Sequence, residues 1–251
     1  MILETLNYAG TWPLTTPAHR EAIRYSVNLW SRAGRCSGAW REHEENSRAA
    51  IIAAMGSLKQ RRTAVVLGSG LLRDVPIIAL SRAFDTVVLV DLVHLASVRG
   101  WLMLKGLKNV RLIERDLGGY DALKAGQEPE PLAFLRQVPF LDFVVSANLM
   151  SQIGTGAMKR LEREPPGSMP EDTLPRLIRA HIDDLSGLPC KSLLVTDISY
   201  EVIDRTGKRY ETLDLLHGVE VPAHRAEWEW PVVPQGEESK DYRIVHKVIA
   251  G

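Results

Sequence analysis

The sequence predicts an α/β fold: a doubly wound, mostly parallel seven-stranded sheet with a C-terminal antiparallel hairpin and an N-terminal helical extension. Five short apolar runs rich in β-branched residues alternate with helical periodicity between residues 63 and 197. Two further strand-like runs follow, separated by a short connection. Residues 1–60 have helical periodicity only. We therefore expect a helical cap over 1–60 and a Rossmann-like domain over 61–251.

The N-terminal extension is expected to hold two main helices. Thr16 followed by proline is typical of a helix start, which predicts a helix over about 17–32 and a second over about 39–58. The segment 30–40 combines two tryptophans, two arginines and a cysteine around glycines. This composition fits a lid over an anionic ligand, and it equally fits an anchor to the sheet. Cys36 has no assignable partner base and is interpreted as a bystander thiol.

The stretch 63–91 organises the sheet domain. A buried strand over 64–67 ends in Gly68-Ser69-Gly70, a helix follows Pro76, and a second strand ends on Asp91. Glycines let the backbone approach a ligand closely, a helix N-terminus offers free N–H groups, and an acid about twenty residues on can accept ribose hydroxyls. The spacing favours a cofactor that contains an adenine ribose. The alternative is a tight strand-to-helix turn without a ligand.

Strands continue to alternate with helices as far as Asp197, after which two strands are expected in succession. Strands are expected over 110–113, 140–147 and 192–196, the last closing on Asp197, and two more over 225–233 and 241–249. The connection between the last two is too short for a parallel crossover, so they must form an antiparallel hairpin.

Composition narrows the functional classes. The 31 basic and 31 acidic residues balance, which argues against a generally basic nucleic-acid-binding surface. Two cysteines lie far apart without metal-site spacing, so we expect no metal and a reducing, cytoplasmic setting. No segment reads as a signal peptide or a membrane span, so no membrane partner is expected.

The order of elements resembles the class I S-adenosylmethionine-dependent methyltransferases, whose sheet has seven strands with the last antiparallel. The resemblance covers roughly residues 60–251 and rests on order and spacing. It implies an enzyme that transfers a methyl group from S-adenosyl-L-methionine to a small-molecule or protein acceptor. Two positions depart from the family pattern: Val66 stands where an acid is frequent, and Leu72 replaces a third glycine.

The resemblance also implies which residues form the site. The glycine loop and the residues ending the second, third and fourth strands would bind the cofactor: Gly68, Ser69, Gly70, Asp74, Asp91, Leu92, Asp116, Leu117, Ser146 and Asn148, with Gln152 near the reacting centre.

Candidate catalytic residues follow from position. Asn148 comes directly after the fourth strand, and Asp197 ends the fifth. Ligands of open α/β sheets bind outside the carboxyl ends of the strands, which favours Asp197. His43, His94 and Tyr200 are further candidates for a base or for acceptor binding. His43 lies in a charged run typical of a solvated face, and His94 is equally read as a helix-face residue.

Two other functions stay open. An NAD(P)-dependent oxidoreductase would use the same turn and Asp91, although its pyrophosphate usually needs the third glycine. A binding or scaffold protein could keep the fold without turnover, because the glycine loop lacks its third glycine and no recognisable catalytic string occurs.

Overall fold

A computed structural model describes all residues, 1–251, and centres on one mixed sheet. Its eight strands are β1 Thr63–Leu67, β2 Thr86–Asp91, β3 Val110–Glu114, β4 Leu141–Ala147, β5 Lys191–Asp204, β6 Arg209–Asp214, β7 Ala226–Val233 and β8 Tyr242–Ala250. Their order is β3-β2-β1-β4-β5-β8-β7, and β6 pairs with the far part of β5. Strands β1 to β5 are parallel, whereas β8 is antiparallel to both β5 and β7. The predicted doubly wound sheet with its C-terminal antiparallel hairpin is confirmed.

The eighth strand was not expected, because β5 was predicted to end near Asp197. It instead passes through a bulge between Asp197 and Ser199, continues to Asp204 and pairs with β6. Asp204 Oδ1 accepts hydrogen bonds from the backbone N–H groups of Thr206 and Lys208, both at 2.8 Å. The Asp204 side chain thus stabilises the hairpin turn between β5 and β6. The polar sequence around this turn resembles a loop, but it forms two paired strands.

Helices cover both faces of the sheet. They are α1 Ile2–Thr11, α2 Ile23–Arg35, α3 Ser37–Gly56, α4 Ile77–Ala83, α5 Ala96–Leu104, α6 Tyr120–Lys124, α7 Met150–Leu161 and α8 Thr173–Ser186, with short 3₁₀ segments at Trp12–Leu14, Pro17–Ala22 and Ala133–Gln137. Ile51 of α3, Leu80 of α4 and Leu102 of α5 belong to the apolar core on one face. Ile153 of α7 and Ile178 of α8 belong to the core on the other. No helix is long and apolar enough to cross a membrane.

The helices of the extension differ in detail from the prediction. Pro17 begins a 3₁₀ segment, and the α-helix starts only at Ile23. The break between α2 and α3 is the single residue Cys36, so Gly34 and Gly38 lie inside helices. A Cβ at either glycine would meet no atom within 4 Å, so no steric demand makes them helix ends.

Hydrogen bonds attach the extension to the sheet domain. Asn7 of α1 donates to Ser97 Oγ at 3.0 Å, and Thr16 donates through its backbone N–H to Glu114 Oε2 at 2.8 Å. At the opposite end, the Trp40 indole donates to the Val232 carbonyl at 3.2 Å. Trp40 therefore acts as an anchor to β7.

Candidate functional site

Asp91 ends β2 with its carboxylate tied to the glycine loop. The Gly70 N–H donates to Oδ2 and the Leu92 N–H donates to Oδ1, both at 2.7 Å. Burial raises the pKa of Asp91, and these two backbone bonds oppose that effect by favouring the ionised form. Each carboxylate oxygen has accepted one of these hydrogen bonds and can accept another. The carboxylate is therefore fixed in place and still able to bind hydroxyl groups.

Asp91 faces a cleft of about 570 Å³ at the carboxyl ends of the parallel strands. Five residues expected to bind the cofactor or to lie near the reacting centre line this cleft: Asp91, Leu92, Asp116, Leu117 and Gln152. The volume lies within the range of about 300–1,000 Å³ typical of small-molecule sites. Residues separated by up to sixty positions in sequence thus share one concave surface.

Asp116 lies at another part of the cleft wall, after β3. Its Oδ1 accepts from the Gly118 N–H at 2.7 Å, and its Oδ2 lies 3.5 Å from an Arg160 guanidinium nitrogen of α7. Leu117 beside it is buried. An apolar floor with a carboxylate acceptor and backbone groups nearby suits a planar, amine-bearing ring.

The glycine loop supports Asp91 but does not line the cleft. Gly68 has φ +69°, and a Cβ there would come within 2.8 Å of the Ala147 carbonyl oxygen. The protein's own packing therefore requires this glycine. Gly70 has φ +48°, and a Cβ there would make only an ordinary contact, 3.8 Å from the Gly68 carbonyl oxygen. Ser69 is buried with no partner for its hydroxyl.

Ser146, expected among the cofactor-binding residues, does not line the cleft. Its side chain is fully buried, and its Oγ lies 3.0 Å from Nε2 of His181 in α8. Alternation along β4 sends Ser146 to the α8 face of the sheet. Burial lowers the pKa of His181 to about 4.

Asn148 joins a separate polar cluster at the end of β4. Its φ is +49°, its N–H donates to the Val195 carbonyl at 2.7 Å, and its side-chain nitrogen donates to Asp74 Oδ2 at 2.5 Å. His43 Nε2 lies 3.3 Å from the same nitrogen. The structure therefore brings Asn148, Asp74 and His43 together, but none of the three lines the cleft.

His43 is buried, so the interpretation of its charged run as a solvated face is wrong at this position. The Trp228 indole donates to His43 Nδ1 at 3.1 Å, and the Trp230 ring stacks on the imidazole with centroids 3.9 Å apart. Burial lowers the pKa of His43 to about 3 and raises that of Asp74. His43 is consequently neutral at physiological pH.

Asp197 pairs with a histidine that sequence reasoning did not single out. His246 of β8 donates through Nδ1 to Asp197 Oδ2 at 2.7 Å. Tyr200 stacks against the same imidazole with centroids 5.5 Å apart. The only sequence signal for His246 is a lone imidazole in an otherwise largely apolar strand, and nothing local connects it to a residue 49 positions away.

His94 is a structural contact. It lies between β2 and α5, outside any helix, fully buried, with Nε2 3.0 Å from the Ile113 carbonyl of β3. The reading as a helix-face residue is therefore wrong. Burial lowers its pKa, so the ring is neutral and helps hold the loop after Asp91.

The extension borders the cleft at an unexpected place. His19 and Ala22 of the 3₁₀ segment and Tyr25 of α2 line it opposite α7. The segment 30–40, a candidate lid, lies elsewhere: residues 30–31 and 33–35 border a second cleft of about 660 Å³ with Leu71 and Trp101. Cys36 is buried and burial raises its pKa, which agrees with a bystander thiol.

No protein family and no curated protein matches the sequence. Solved structures with a similar fold include the DhpI-SAM-HEP complex, with 12% identity over 88% of this chain and 94% of that chain and a TM-score of 0.40. The N-methyltransferase NodS from Bradyrhizobium japonicum, in complex with S-adenosyl-L-homocysteine, is 12% identical over 82% and 86%, with a TM-score of 0.38. YcgJ from Bacillus subtilis is 11% identical over 80% and 96%, with a TM-score of 0.43. Because these scores are low, the fold assignment rests on the strand order and connections of the chain itself.

Proposed function

We propose that this protein is an S-adenosyl-L-methionine-dependent methyltransferase whose cofactor lies in the cleft at the carboxyl ends of β2, β3 and β4. The observation that carries this proposal is the Asp91 carboxylate, which faces the cleft while the Gly70 and Leu92 amides hold it. Each of its oxygens has room for one further donor, as the two hydroxyls of a ribose require.

The residues present fit the adenosine part of the cofactor. Asp91 would hold the ribose, and Asp116 with Leu117 would lie against the adenine. The buried, unpartnered Ser69 hydroxyl offers a further hydrogen-bonding group in the adjoining loop. When bound, S-adenosylmethionine supplies a methyl group activated by its sulfonium. The protein must then position an acceptor beyond the end of β4 and beside β5, where Asn148 and Asp197 are the proposed functional residues.

Isothermal titration calorimetry with S-adenosylmethionine, S-adenosylhomocysteine and NAD tests the proposal. We expect the first two to bind and NAD not to bind. Asp91→Ala should weaken binding about a hundredfold, because hydrogen bonds to a charged group contribute about 1.5–3 kcal/mol each. Asp85→Ala removes an exposed carboxylate just before β2 and serves as the matched control. Equal affinities of the Asp91 and Asp85 variants would remove Asp91 from the site.

A binding protein without turnover is the second candidate. The observation that favours it is that neither Asn148 nor Asp197 lines the cleft. Calorimetry cannot separate the two functions, since both bind the cofactor. Formation of S-adenosylhomocysteine in the presence of acceptors, measured by mass spectrometry, separates them.

A further inference from the structure

Asp197 and His246 form an isolated hydrogen-bonded pair above the end of β4. The Asp197 side chain is 2% exposed and that of His246 15% exposed, and His246 Nδ1 lies 2.7 Å from Asp197 Oδ2. Asp197 lies two residues beyond Val195, which is paired with Ala147, the last residue of β4. The pair therefore lies at the strand edge where ligands of open α/β sheets bind.

The hydrogen bond fixes the tautomer of the imidazole. An ionised carboxylate can only accept, so the proton of a neutral His246 is on Nδ1 and Nε2 carries the lone pair. His246 Nε2 makes no hydrogen bond within the protein, and it is not among the fully buried polar atoms that lack a partner. The second oxygen of Asp197 is buried and also unpartnered. The imidazole thus presents an available basic nitrogen with a carboxylate behind it, the arrangement of a histidine general base.

The surroundings of this imidazole are aromatic. Tyr200 stacks on one side of His246, and the Trp230 ring meets it at 66° with centroids 5.8 Å apart. Trp230 also stacks on His43, which connects the imidazole to Asn148 at the end of β4. The titratable groups that face His246 are Asp197 and Tyr200 on β5 and His43 on α3. Planar, partly apolar walls favour a planar acceptor over a flexible charged one.

We propose that His246 is the general base for the methyl acceptor, that Asp197 is its positioning residue, and that the acceptor is a planar compound whose hydroxyl or ring N–H must lose a proton. This inference rests on the proposed methyltransferase function. The acceptor's electron pair forms the new bond to the methyl carbon as the carbon–sulfur bond breaks and its electrons stay on sulfur. The acceptor's proton goes to His246 Nε2 and then to water, so one positive charge passes from the sulfonium to the imidazolium.

Nuclear magnetic resonance tests the pair without any cofactor. Long-range proton–nitrogen spectra of ¹⁵N-histidine-labelled protein at neutral pH, with His246 assigned through His246→Gln, should give the Nδ1–H tautomer. Asp197→Asn should redistribute the proton toward Nε2, because the amide can turn its N–H₂ group to Nδ1. An Nε2–H tautomer in the wild type, or a spectrum unchanged by Asp197→Asn, would overturn the assignment of the base. Neither result depends on whether S-adenosylmethionine binds.

A second measurement tests catalysis. Transfer of labelled methyl from S-adenosylmethionine is followed over a panel of phenols, hydroxylated heterocycles and ring N–H compounds, with tertiary amines and thioethers as acceptors that have no proton to lose. We expect transfer only to members with a proton, reduced at least about a hundredfold by His246→Gln, since general bases contribute 10²–10⁴-fold. His246→Gln should bind S-adenosylmethionine within twofold of the wild type.

The outcomes separate this inference from the proposed function. If the wild type does not bind S-adenosylmethionine, the proposed methyltransferase function is refuted. Cofactor binding with no transfer to any panel member, or transfer that His246→Gln leaves unchanged, would overturn the assignment of base and acceptor only. His224→Gln, which removes an exposed imidazole from the loop before β7, is the control.

Discussion

His43 makes a strong prediction about acid stability. Its pKa is about 3 in the folded protein, against 6.5 for the free side chain, because burial disfavours the imidazolium. Below pH 6.5 the His43 imidazole therefore binds a proton in the unfolded chain but not in the native state. The resulting stability is complete above pH 6.5 and is lost progressively as the pH falls toward 3.

The size of the effect follows from the shift. Each pH unit between these limits removes about 1.4 kcal/mol, so lowering the pH from 7.5 to 5 should cost about 2 kcal/mol through His43 alone. His181, with its pKa lowered to about 4, should cost a similar amount over the same range. Over this range His43→Gln should consequently lose about 2 kcal/mol less stability than the wild type.

Urea unfolding at pH 7.5, 6 and 5, followed by circular dichroism, measures the difference. Carboxylates common to both proteins cancel in the comparison. His224→Gln removes an exposed imidazole and should follow the wild type. If His43→Gln loses as much stability as the wild type between pH 7.5 and 5, His43 is protonated in the native state. The description of His43 as a buried, neutral imidazole would then be wrong.

Two further predictions concern the loops that bear the site. Gly68→Ala should destabilise the protein by more than about 2 kcal/mol in urea unfolding, because the new Cβ would lie 2.8 Å from the Ala147 carbonyl oxygen and the positive φ would be strained. Gly70→Ala has the strained φ alone and should destabilise the protein less. Equal destabilisation by the two substitutions would show that the contact with Ala147 does not matter. Asn148→Asp should place a second carboxylate about 2.5 Å from Asp74, so the variant should be less stable than the wild type at pH 8, and this difference should shrink toward pH 5 as one carboxyl is protonated. Thermal unfolding of both proteins measures the difference, and a difference that does not shrink on acidification would refute this.

The fold could be predicted from the sequence because local signals and connections agree. Buried parallel strands such as β1 and β4 each contain a short apolar run, and the short link between β7 and β8 allows only a hairpin. The part of the fold that could not be predicted was β5 beyond Asp197. Its pairing with β6 depends on one aspartate turn and on β8, which no local pattern reveals.

Some residues of the candidate site could likewise be predicted from the sequence, and others could not. Asp91 and Asp116 were predictable because a residue at the carboxyl end of a parallel strand must lie at the ligand-binding edge. The burial of Ser146 was not foreseen, because its contact with His181 of α8 depends on tertiary packing that no local pattern reveals. His246 was not found, because a pair that joins β5 to β8 depends on tertiary register.

A crystal structure of the protein with S-adenosylhomocysteine would show whether Asp91 holds the cofactor. We expect both ribose hydroxyls within about 2.6–3.2 Å of the Asp91 carboxylate oxygens, with the adenine against Leu117. A nucleoside bound in the second cleft beside Trp101, or a ribose without contact to Asp91, would contradict it.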